Sequence, residues 1–354
     1  MYLMTCTRPD LAYPLSILAR YVAPGRHRPE HMAAAKRVLR YLCSTSGLGL
    51  VLGGRSPVVL TGHADASWVD DLATQWSSKG YTFSLGSGSF SWRSTRSSSV
   101  LSSSCEAEIY AGAMAAQELR WLTYLLTDLG EPPRSSIVLY VDNKAMLALC
   151  REHRLEHRTK HIALRYFLAR ELQQRGQLRL AYMASEANTA DIFTKALQPC
   201  DHQRFCTMIG LILLTIATAK HLPLRQIDVK NAFLYALVDA TIFVEQSHTY
   251  GEGDPRGIGF KQLPHDSEMY CLHFNIDYIV LTIYANDLLY TGTCNKLVNQ
   301  FKENLAQHVD ITINHNVTHF LGLNITYAPE TIHLSAFKYA EQLGECFKIL
   351  PAPL

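Results

Sequence analysis

The chain has 354 residues, of which 48% are hydrophobic and 18% are charged, which is typical of a globular protein with two or three domains. Its longest apolar run, residues 208–219, is too short to span a membrane, and its N-terminus lacks a secretory layout. We therefore expect an intracellular protein, cytoplasmic or nuclear, without membrane contact. Residues 1–210 carry 24 Lys and Arg against 17 Asp and Glu, whereas residues 211–354 carry nine against fourteen, so the first part favours a nucleic-acid partner.

The first segment is predicted to be helical. Pro29 suits the first turn of a helix, and apolar residues follow it at helical spacing. These features predict a helix from about Pro29 to Cys43. The simplest role for this segment is structural, as a helical pair that packs beside the next domain.

A mixed pattern of strands and helices follows between residues 58 and 200. A long helix is predicted from Ser103, and Gly130 and Pro132 end it. A helix is also predicted to open in the last stretch, residues 188–197. Strands are predicted at 58–68, in a hairpin at 80–95, and at 97–104, 136–143 and 177–185.

Four acidic residues of this region, Asp65, Glu108, Asp142 and Asp191, belong to four different predicted elements. Each of them alone is typical of a turn or a helix cap. Four carboxylates in one place repel each other strongly unless cations lie between them. Two Mg²⁺ ions about 3.5–4 Å apart serve this purpose in phosphodiester hydrolysis. Together, the four acids favour a two-metal site.

Residues 58–200 resemble the ribonuclease H domain of copia-type retrotransposon polyproteins. The matching segments, in family order, are "GHADASWVDD", "STRSSSVLSSSCEAEIYAG", "LYVDNKAMLAL", "HRTKHIALRYFLARE" and "NTADIFTKAL". The resemblance implies a ribonuclease H-like α/β domain at residues 58–210, with a mixed five-stranded sheet and flanking helices. It also implies cleavage of the RNA strand of RNA–DNA hybrids with two Mg²⁺ ions, or with Mn²⁺ as the alternative.

The resemblance assigns catalysis and metal binding to Asp65, Asp142, Asp191 and one glutamate of "CEAEIYAG". Glu108 is favoured over Glu106, because it falls in the second turn of a helix capped at Ser103 and its "AEIYA" run is similar to the family pattern. The family usually has a second aspartate where Ser67 stands, a position expected to flank the site.

The stretch from His153 to His161 contains histidines four residues apart, a spacing that could hold a transition metal on a helix. The resemblance favours a different role, because the family has a similar pattern beside its hybrid-binding helix. It implies that Lys160, His161 and Arg165 contact nucleic acid.

The remaining segments are similar to reverse transcriptase of the same family. Residues 1–57 look like its C-terminal remnant, and residues 211–354 look like a partial α+β palm and fingers fragment. In the family the polymerase precedes ribonuclease H, whereas here the palm fragment follows it, with a seam near Gly210–Leu211. The separated polymerase pieces are expected to find each other within the chain or through self-association.

The palm resemblance implies a polymerase remnant formed by Asp228, Phe233, Asn286 and Asp287. Asn286, in "YAND", stands where the family has a metal-binding aspartate, and an amide is a weaker ligand for a hard cation than a carboxylate. A nucleotide-binding segment is also missing between about Arg256 and Gly259. We therefore expect polymerase activity to be lost.

Two functions follow from the sequence. The first is a retrotransposon-derived ribonuclease H that carries a degenerate polymerase fragment, and the presence of all four acids favours it. The second is a catalytically silent relic that at most binds nucleic acid, which the altered segment order and Asn286 favour.

Overall fold

A computed structural model describes most of the chain, divided into two compact units. The first unit comprises residues 1–120, 134–215 and 321–354, and the second comprises residues 121–133 and 216–320. The described residues are 1–53, 59–71, 74–86, 88–151, 163–198, 201–202, 223–229, 260–264, 266–274, 276–284, 287–307, 310–315, 317–328 and 331–348.

The N-terminal segment of the first unit is helical, as predicted. Its elements are α1 (Tyr2–Cys6), α2 (Ala12–Ala19), α3 (Pro29–Ser44) and the short strand β1 (Leu50–Gly53). Pro29 occupies the first turn of α3, where a missing backbone N–H costs nothing. The predicted start of this helix is therefore confirmed.

A mixed five-stranded sheet forms the centre of the first unit. Its strands are β2 (Leu60–Asp71), β3 (Trp76–Leu85), β4 (Gly88–Arg96), β5 (Ile137–Val141) and β6 (Leu178–Tyr182). They lie in the order β4-β3-β2-β5-β6. The β2–β3 and β3–β4 pairs are antiparallel, and the β2–β5 and β5–β6 pairs are parallel. The predicted mixed five-stranded sheet is confirmed.

The helices described between the strands of this sheet are α4 (Ser104–Asp128), α5 (Lys144–Arg151) and α6 (Ala163–Gln174). The buried residues near the start of α4 include Ala107 and Ala111, which share a hydrophobic cluster with Ala66 of β2. Alanines at these positions allow the helix to approach the strand closely. This packing brings the first two turns of α4 beside the middle of β2.

Two predicted elements are wrong in type. Residues 97–103 form no strand, because serine hydroxyls bond the local backbone instead of leaving it to a ladder; Ser97 Oγ, for example, donates to the Ser99 carbonyl at 2.9 Å. The helix predicted at 188–197 is a short 3₁₀ helix, Thr189–Phe193. It ends at Thr194, whose hydroxyl bonds the buried Asp65 carboxylate, so a tertiary contact overrides helical continuation.

A second sheet lies in the other unit. Its strands are β7 (Arg225–Val229), β8 (Lys261–Leu263), β9 (Asp266–Phe274), β10 (Asp277–Tyr284), β11 (Asp287–Gly292) and β12 (Ile311–Asn314), and the helix α7 (Asn295–Ala306) follows β11. The strands lie in the order β12-β7-β11-β10-β9-β8. The core of this unit includes Ile227, Ile279 and Tyr290, each fully buried, and Phe301 of α7 packs against them.

The last described elements are β13 (His319–Phe320), β14 (Leu323–Ala328), β15 (Thr331–Ser335) and α8 (Phe337–Cys346). β15 pairs with both β14 and β1, with Leu50 opposite Leu334. A hydrophobic cluster joins Leu3 and Leu42 of the N-terminal segment to Ala340 of α8. Parts of the two segments that resemble reverse transcriptase therefore contact each other within one chain. Association of these segments between chains stays a prediction.

Among the described residues, every helix falls short of the length and apolarity that crossing a bilayer requires.

Candidate active site

Asp65 and Asp142 come from two neighbouring strands of the central sheet. β2 and β5 are parallel neighbours, and His63 pairs with Tyr140. Each aspartate lies two residues beyond that pair, so Asp65, in the middle of β2, and Asp142, just after the end of β5, lie at the same level of the sheet. Asp142 is held between β5 and α5, where Asn143 Oδ1 accepts a bond from the Met146 amide at 2.9 Å and caps the helix.

Asp191 reaches the same place from the 3₁₀ helix. Asn188 caps this helix by accepting from the Ala190 amide at 3.2 Å, and its own amide donates to the Ala64 carbonyl at 3.0 Å. Gly80, opposite Asp65 in β3, leaves room for the turn, because a Cβ there would lie 2.5 Å from Cβ of Phe193. The turn is therefore fastened directly beside Asp65.

The three aspartates form one cluster. One ligand oxygen from each of Asp65, Asp142 and Asp191 lies within 4.8 Å of the other two. Asp65 is fully buried, Asp191 is 6% exposed, and Asp142 is half-buried. Residues from β2, from the end of β5 and from the 3₁₀ helix are thus brought together.

Of the two glutamates at the start of α4, Glu108 faces this cluster. The Glu106 carboxylate accepts from the amide and the hydroxyl of Ser102, so it serves the helix N-terminus. Glu108 accepts from the Ala66 backbone and interacts electrostatically with Asp65 and Asp142. The two carboxylates therefore have different environments despite their similar burial.

Hydroxyl groups orient two of the aspartates. Thr194 Oγ donates to Asp65 Oδ2, and Ser185 Oγ donates to Asp142 Oδ2 at 2.6 Å. Lys195 Nζ lies 3.0 Å from Asp65 Oδ1 and 3.0 Å from Asp191 Oδ2. None of these three residues was predicted from the sequence, although the spacing of Lys195 four residues after Asp191 is a signal for an ion pair.

The electrostatics of the cluster favour a bound cation. Burial raises the pKa of Asp65, and burial together with Asp65 raises the pKa of Asp191 to about 7. Burial and the charges of Asp65 and Asp142 raise the pKa of Glu108 well above its usual range. Glu108 Oε2 and Asp191 Oδ1 are buried without a hydrogen-bond partner. Hard carboxylate oxygens of this kind fit a divalent ion such as Mg²⁺ or Mn²⁺.

The residues predicted to contact nucleic acid are only partly described. Lys160 and His161 lie outside the described residues. Arg165 lies in the first turn of α6, but its side chain lies outside the description as well. Their role stays a prediction.

Two of the predicted polymerase residues, Asp228 and Asp287, are described in the second unit. Asp228 of β7 is opposite Asp287 of β11 in the antiparallel ladder. The Asp287 carboxylate accepts from the Gln226 side chain at 2.8 Å. The ladder therefore brings two acidic positions to one place, whereas Phe233 and Asn286 lie outside the described residues.

Comparison with known proteins gives matches to both kinds of segment. The family model described as reverse transcriptase (RNA-dependent DNA polymerase) matches residues 255–352. The retrovirus-related Pol polyprotein from transposon RE2 of Arabidopsis thaliana is 38% identical over 208 residues, which are 58% of this chain and 14% of that polyprotein. The corresponding polyprotein from transposon TNT 1-94 of Nicotiana tabacum is 36% identical over 198 residues, 56% of this chain and 14% of its own length.

Among solved structures, the N-terminal RNase H domain of rv2228c from Mycobacterium tuberculosis, solved as a fusion with maltose binding protein, is 12% identical. The match covers 42% of this chain and 98% of that one, with a TM-score of 0.31. The chain spans about one seventh of the length of the polyproteins that it matches.

Proposed function

Because the chain belongs to the family of copia-type Pol polyproteins of retrotransposons, we propose that it is a ribonuclease H that cleaves the RNA strand of RNA–DNA hybrids. The observation that carries this proposal is the cluster of Asp65, Asp142 and Asp191, whose ligand oxygens lie within 4.8 Å of one another. These residues come from separate elements, and their burial is costly unless cations compensate it.

In this proposal the four acids hold two divalent ions. When bound, such ions activate a water molecule and stabilise the leaving oxygen of the scissile phosphodiester. Asp65 is the most buried ligand, and Glu108 and Asp191, each 6% exposed, both have a buried carboxylate oxygen without a partner. Asp142, which is half-buried, completes the set. The hydroxyls of Ser185 and Thr194 fix the orientation of the Asp142 and Asp65 carboxylates.

The proposed substrate is an RNA–DNA hybrid held mainly through its phosphates and ribose hydroxyls. Such contacts give affinity without dependence on base sequence. We assign them to Lys160, His161 and Arg165, in keeping with the basic excess of residues 1–210. Binding is then expected to weaken steeply as the salt concentration rises.

The decisive experiment measures Mg²⁺-dependent cleavage of a hybrid with labelled RNA by the purified chain. Asp142→Asn removes one carboxylate charge with little change of shape, and we expect cleavage to fall on the order of a hundredfold. Hybrid binding should persist, because phosphate contacts supply it. Glu171→Gln, at an exposed ion pair with Arg175, is the matched control and should leave cleavage unchanged. Equal cleavage by the Asp142→Asn protein would contradict the proposal.

For the second unit we propose that polymerase activity is lost. Asn286 replaces a carboxylate that nucleotidyl transfer needs, and the nucleotide-binding segment near residues 256–259 is missing. These two features, with the altered segment order, also favour the second candidate function, a silent relic that only binds nucleic acid. Hybrid binding without cleavage by the wild-type chain would favour the relic.

A further inference from the structure

Lys195 inserts a positive charge into the carboxylate cluster. Its Nζ atom lies 3.0 Å from Asp65 Oδ1 and 3.0 Å from Asp191 Oδ2, so it bridges two of the three aspartates. Burial lowers the pKa of Lys195, but the charges of Asp65 and Asp191 outweigh this effect, and its pKa lies above the ordinary value. The side chain is therefore a charged ammonium group bound to two of the proposed metal ligands.

Some carboxylate oxygens of the cluster have a hydrogen-bond or ion-pair partner, and others are buried without one. Both oxygens of Asp65 are already engaged, Oδ1 by Lys195 and Oδ2 by the Thr194 hydroxyl. Asp191 offers one oxygen to Lys195 and buries the other without a partner, and Glu108 Oε2 is likewise buried and unpartnered. The described contacts therefore compensate only part of the negative charge.

An ammonium group and a divalent ion compete for these oxygens. Mg²⁺ binds oxygen ligands at about 2.0–2.1 Å, so an ion on Asp65 Oδ1 and Asp191 Oδ2 would lie within a few ångströms of the Lys195 ammonium. Like charges at that separation in a buried site repel strongly. The two cations cannot share the same pair of oxygens.

We propose that Lys195 is the resident counter-cation of the metal-free site, and that divalent-ion binding displaces its ammonium group from Asp65 and Asp191. This inference rests on the proposed function, because it assumes that the cluster is a metal site. Lys195 has a route of departure: its side chain is 32% exposed, whereas that of Asp65 is fully buried, and a long flexible stem can carry its ammonium group into solvent. Lys195 is thus a positioning residue that orders the acids before the metal binds.

The first test measures Mn²⁺ binding by titration calorimetry. Lys195→Met keeps most of the stem and removes the charge, so the competitor is lost and Mn²⁺ should bind roughly tenfold more tightly than to wild type. Its melting temperature in EDTA should fall, and its gain on saturation with Mn²⁺ should exceed that of wild type. Lys195→Arg keeps the charge and should stay near wild type in affinity. Arg175→Met removes the same charge from an exposed ion pair and should change neither quantity.

The second test uses the wild-type protein alone, so it does not depend on how a variant folds. Acetylation of lysines is followed by mass spectrometry with and without Mn²⁺. Displacement should raise the reactivity of Lys195 on metal binding, whereas Lys338, which is exposed in α8, should react equally in both states.

The outcomes separate this inference from the proposed function. Tighter Mn²⁺ binding by Lys195→Met supports displacement, even if the wild-type chain fails to cleave a hybrid. Unchanged or weaker Mn²⁺ binding, or a Lys195 that becomes less reactive with Mn²⁺, would overturn the inference while leaving hybrid cleavage untouched. Absence of Mn²⁺ binding by both proteins would also overturn it.

Discussion

The carboxylate of Glu106 accepts hydrogen bonds from the backbone amide and the hydroxyl of Ser102, at 2.7 and 2.6 Å. Ser103 Oγ in turn accepts from the Glu106 amide at 3.1 Å, so the pair caps the N-terminus of α4. Glu108, two residues later, projects from another side of the helix, where its carboxylate interacts with Asp65 and Asp142. The two glutamates of the same motif therefore have different roles.

This separation predicts opposite effects for two matched variants. Glu108→Gln should lower hybrid cleavage on the order of a hundredfold, because it removes one carboxylate of the proposed metal site. Glu106→Gln should retain cleavage and lose about 1 kcal/mol of the free energy of unfolding, the usual value of a helix cap. Cleavage rates and urea denaturation of both proteins test the assignment. A reversed pattern would identify Glu106 as the catalytic glutamate.

The pKa of Asp191 predicts how the stability of the metal-free protein depends on pH. The folded pKa is raised to about 7, whereas the unfolded value is about 3.9. Between these values the folded state binds more protons than the unfolded state, so the contribution of Asp191 to stability falls as pH rises. Above pH 7 this contribution is constant.

The measurement is denaturation in EDTA between about pH 4 and pH 7.5, with wild type and Asp191→Asn compared. As pH rises, the free energy of unfolding of wild type should fall relative to that of Asp191→Asn. Saturating Mn²⁺ should remove this trend, because the ion binds the ionised carboxylates. If wild type instead gains stability relative to Asp191→Asn as pH rises over this range, the raised pKa of Asp191 is contradicted.

Breaking the buried ion pair of the N-terminal segment should strongly lower the free energy of unfolding. The Arg8 guanidinium bonds Asp10 at 2.6 Å, both side chains are at most 5% exposed, and Tyr41 donates to the same carboxylate. Asp10→Asn leaves the buried guanidinium without its counter-charge and should cost about 3 kcal/mol. The exposed pair of Arg175 and Glu171 is the control, since breaking it should cost under about 1 kcal/mol. Urea denaturation that gives similar costs for both pairs would contradict this interpretation.

The pairing of β1 with β15 predicts a glycine requirement just before β1. A Cβ at Gly49 would overlap the backbone oxygen of Leu334, whereas a Cβ at Gly47 would meet nothing within 4 Å. Gly49→Ala should therefore cost about 1–3 kcal/mol, as overpacking does, and Gly47→Ala should be nearly neutral. Hydrogen exchange should show faster exchange of the β15 amides in Gly49→Ala only. Equal protection of the β15 amides in both variants would show that β1 and β15 do not pair as described.

The last prediction concerns Asn286. Restoring a carboxylate with Asn286→Asp should be necessary for primer extension but insufficient, because the missing segment leaves the incoming nucleotide poorly positioned. We expect no extension on an RNA template by the native chain and little or none by the revertant. A competent reverse transcriptase serves as the positive control. Robust extension by the native chain would contradict both the deletion and the assigned role of Asn286.

Local patterns predicted a large part of the fold. The strands predicted at 58–68 and 136–143, the serine cap of α4 and the proline at the start of α3 depend on residues close in the chain, so the sequence alone was sufficient for them. The strand predicted at 97–104 was wrong because serine side chains compete with the ladder for backbone groups. The final helix was wrong because Thr194 bonds Asp65, a partner 129 positions away along the chain.

The sequence by itself determined which acids and which family motifs are present and where most of the strands of the central sheet lie, since these depend on residue types and local patterns. Only the tertiary structure decided which groups meet. Parallel pairing of β2 with β5 aligns Asp65 with Asp142, and the Asn188 bond to Ala64 adds Asp191. Packing of α4 distinguishes Glu108 from Glu106, and the same folding brings Lys195 to the aspartates and β15 to β1. These tertiary contacts depend on strand pairing and burial between residues far apart in the chain, which no local pattern encodes.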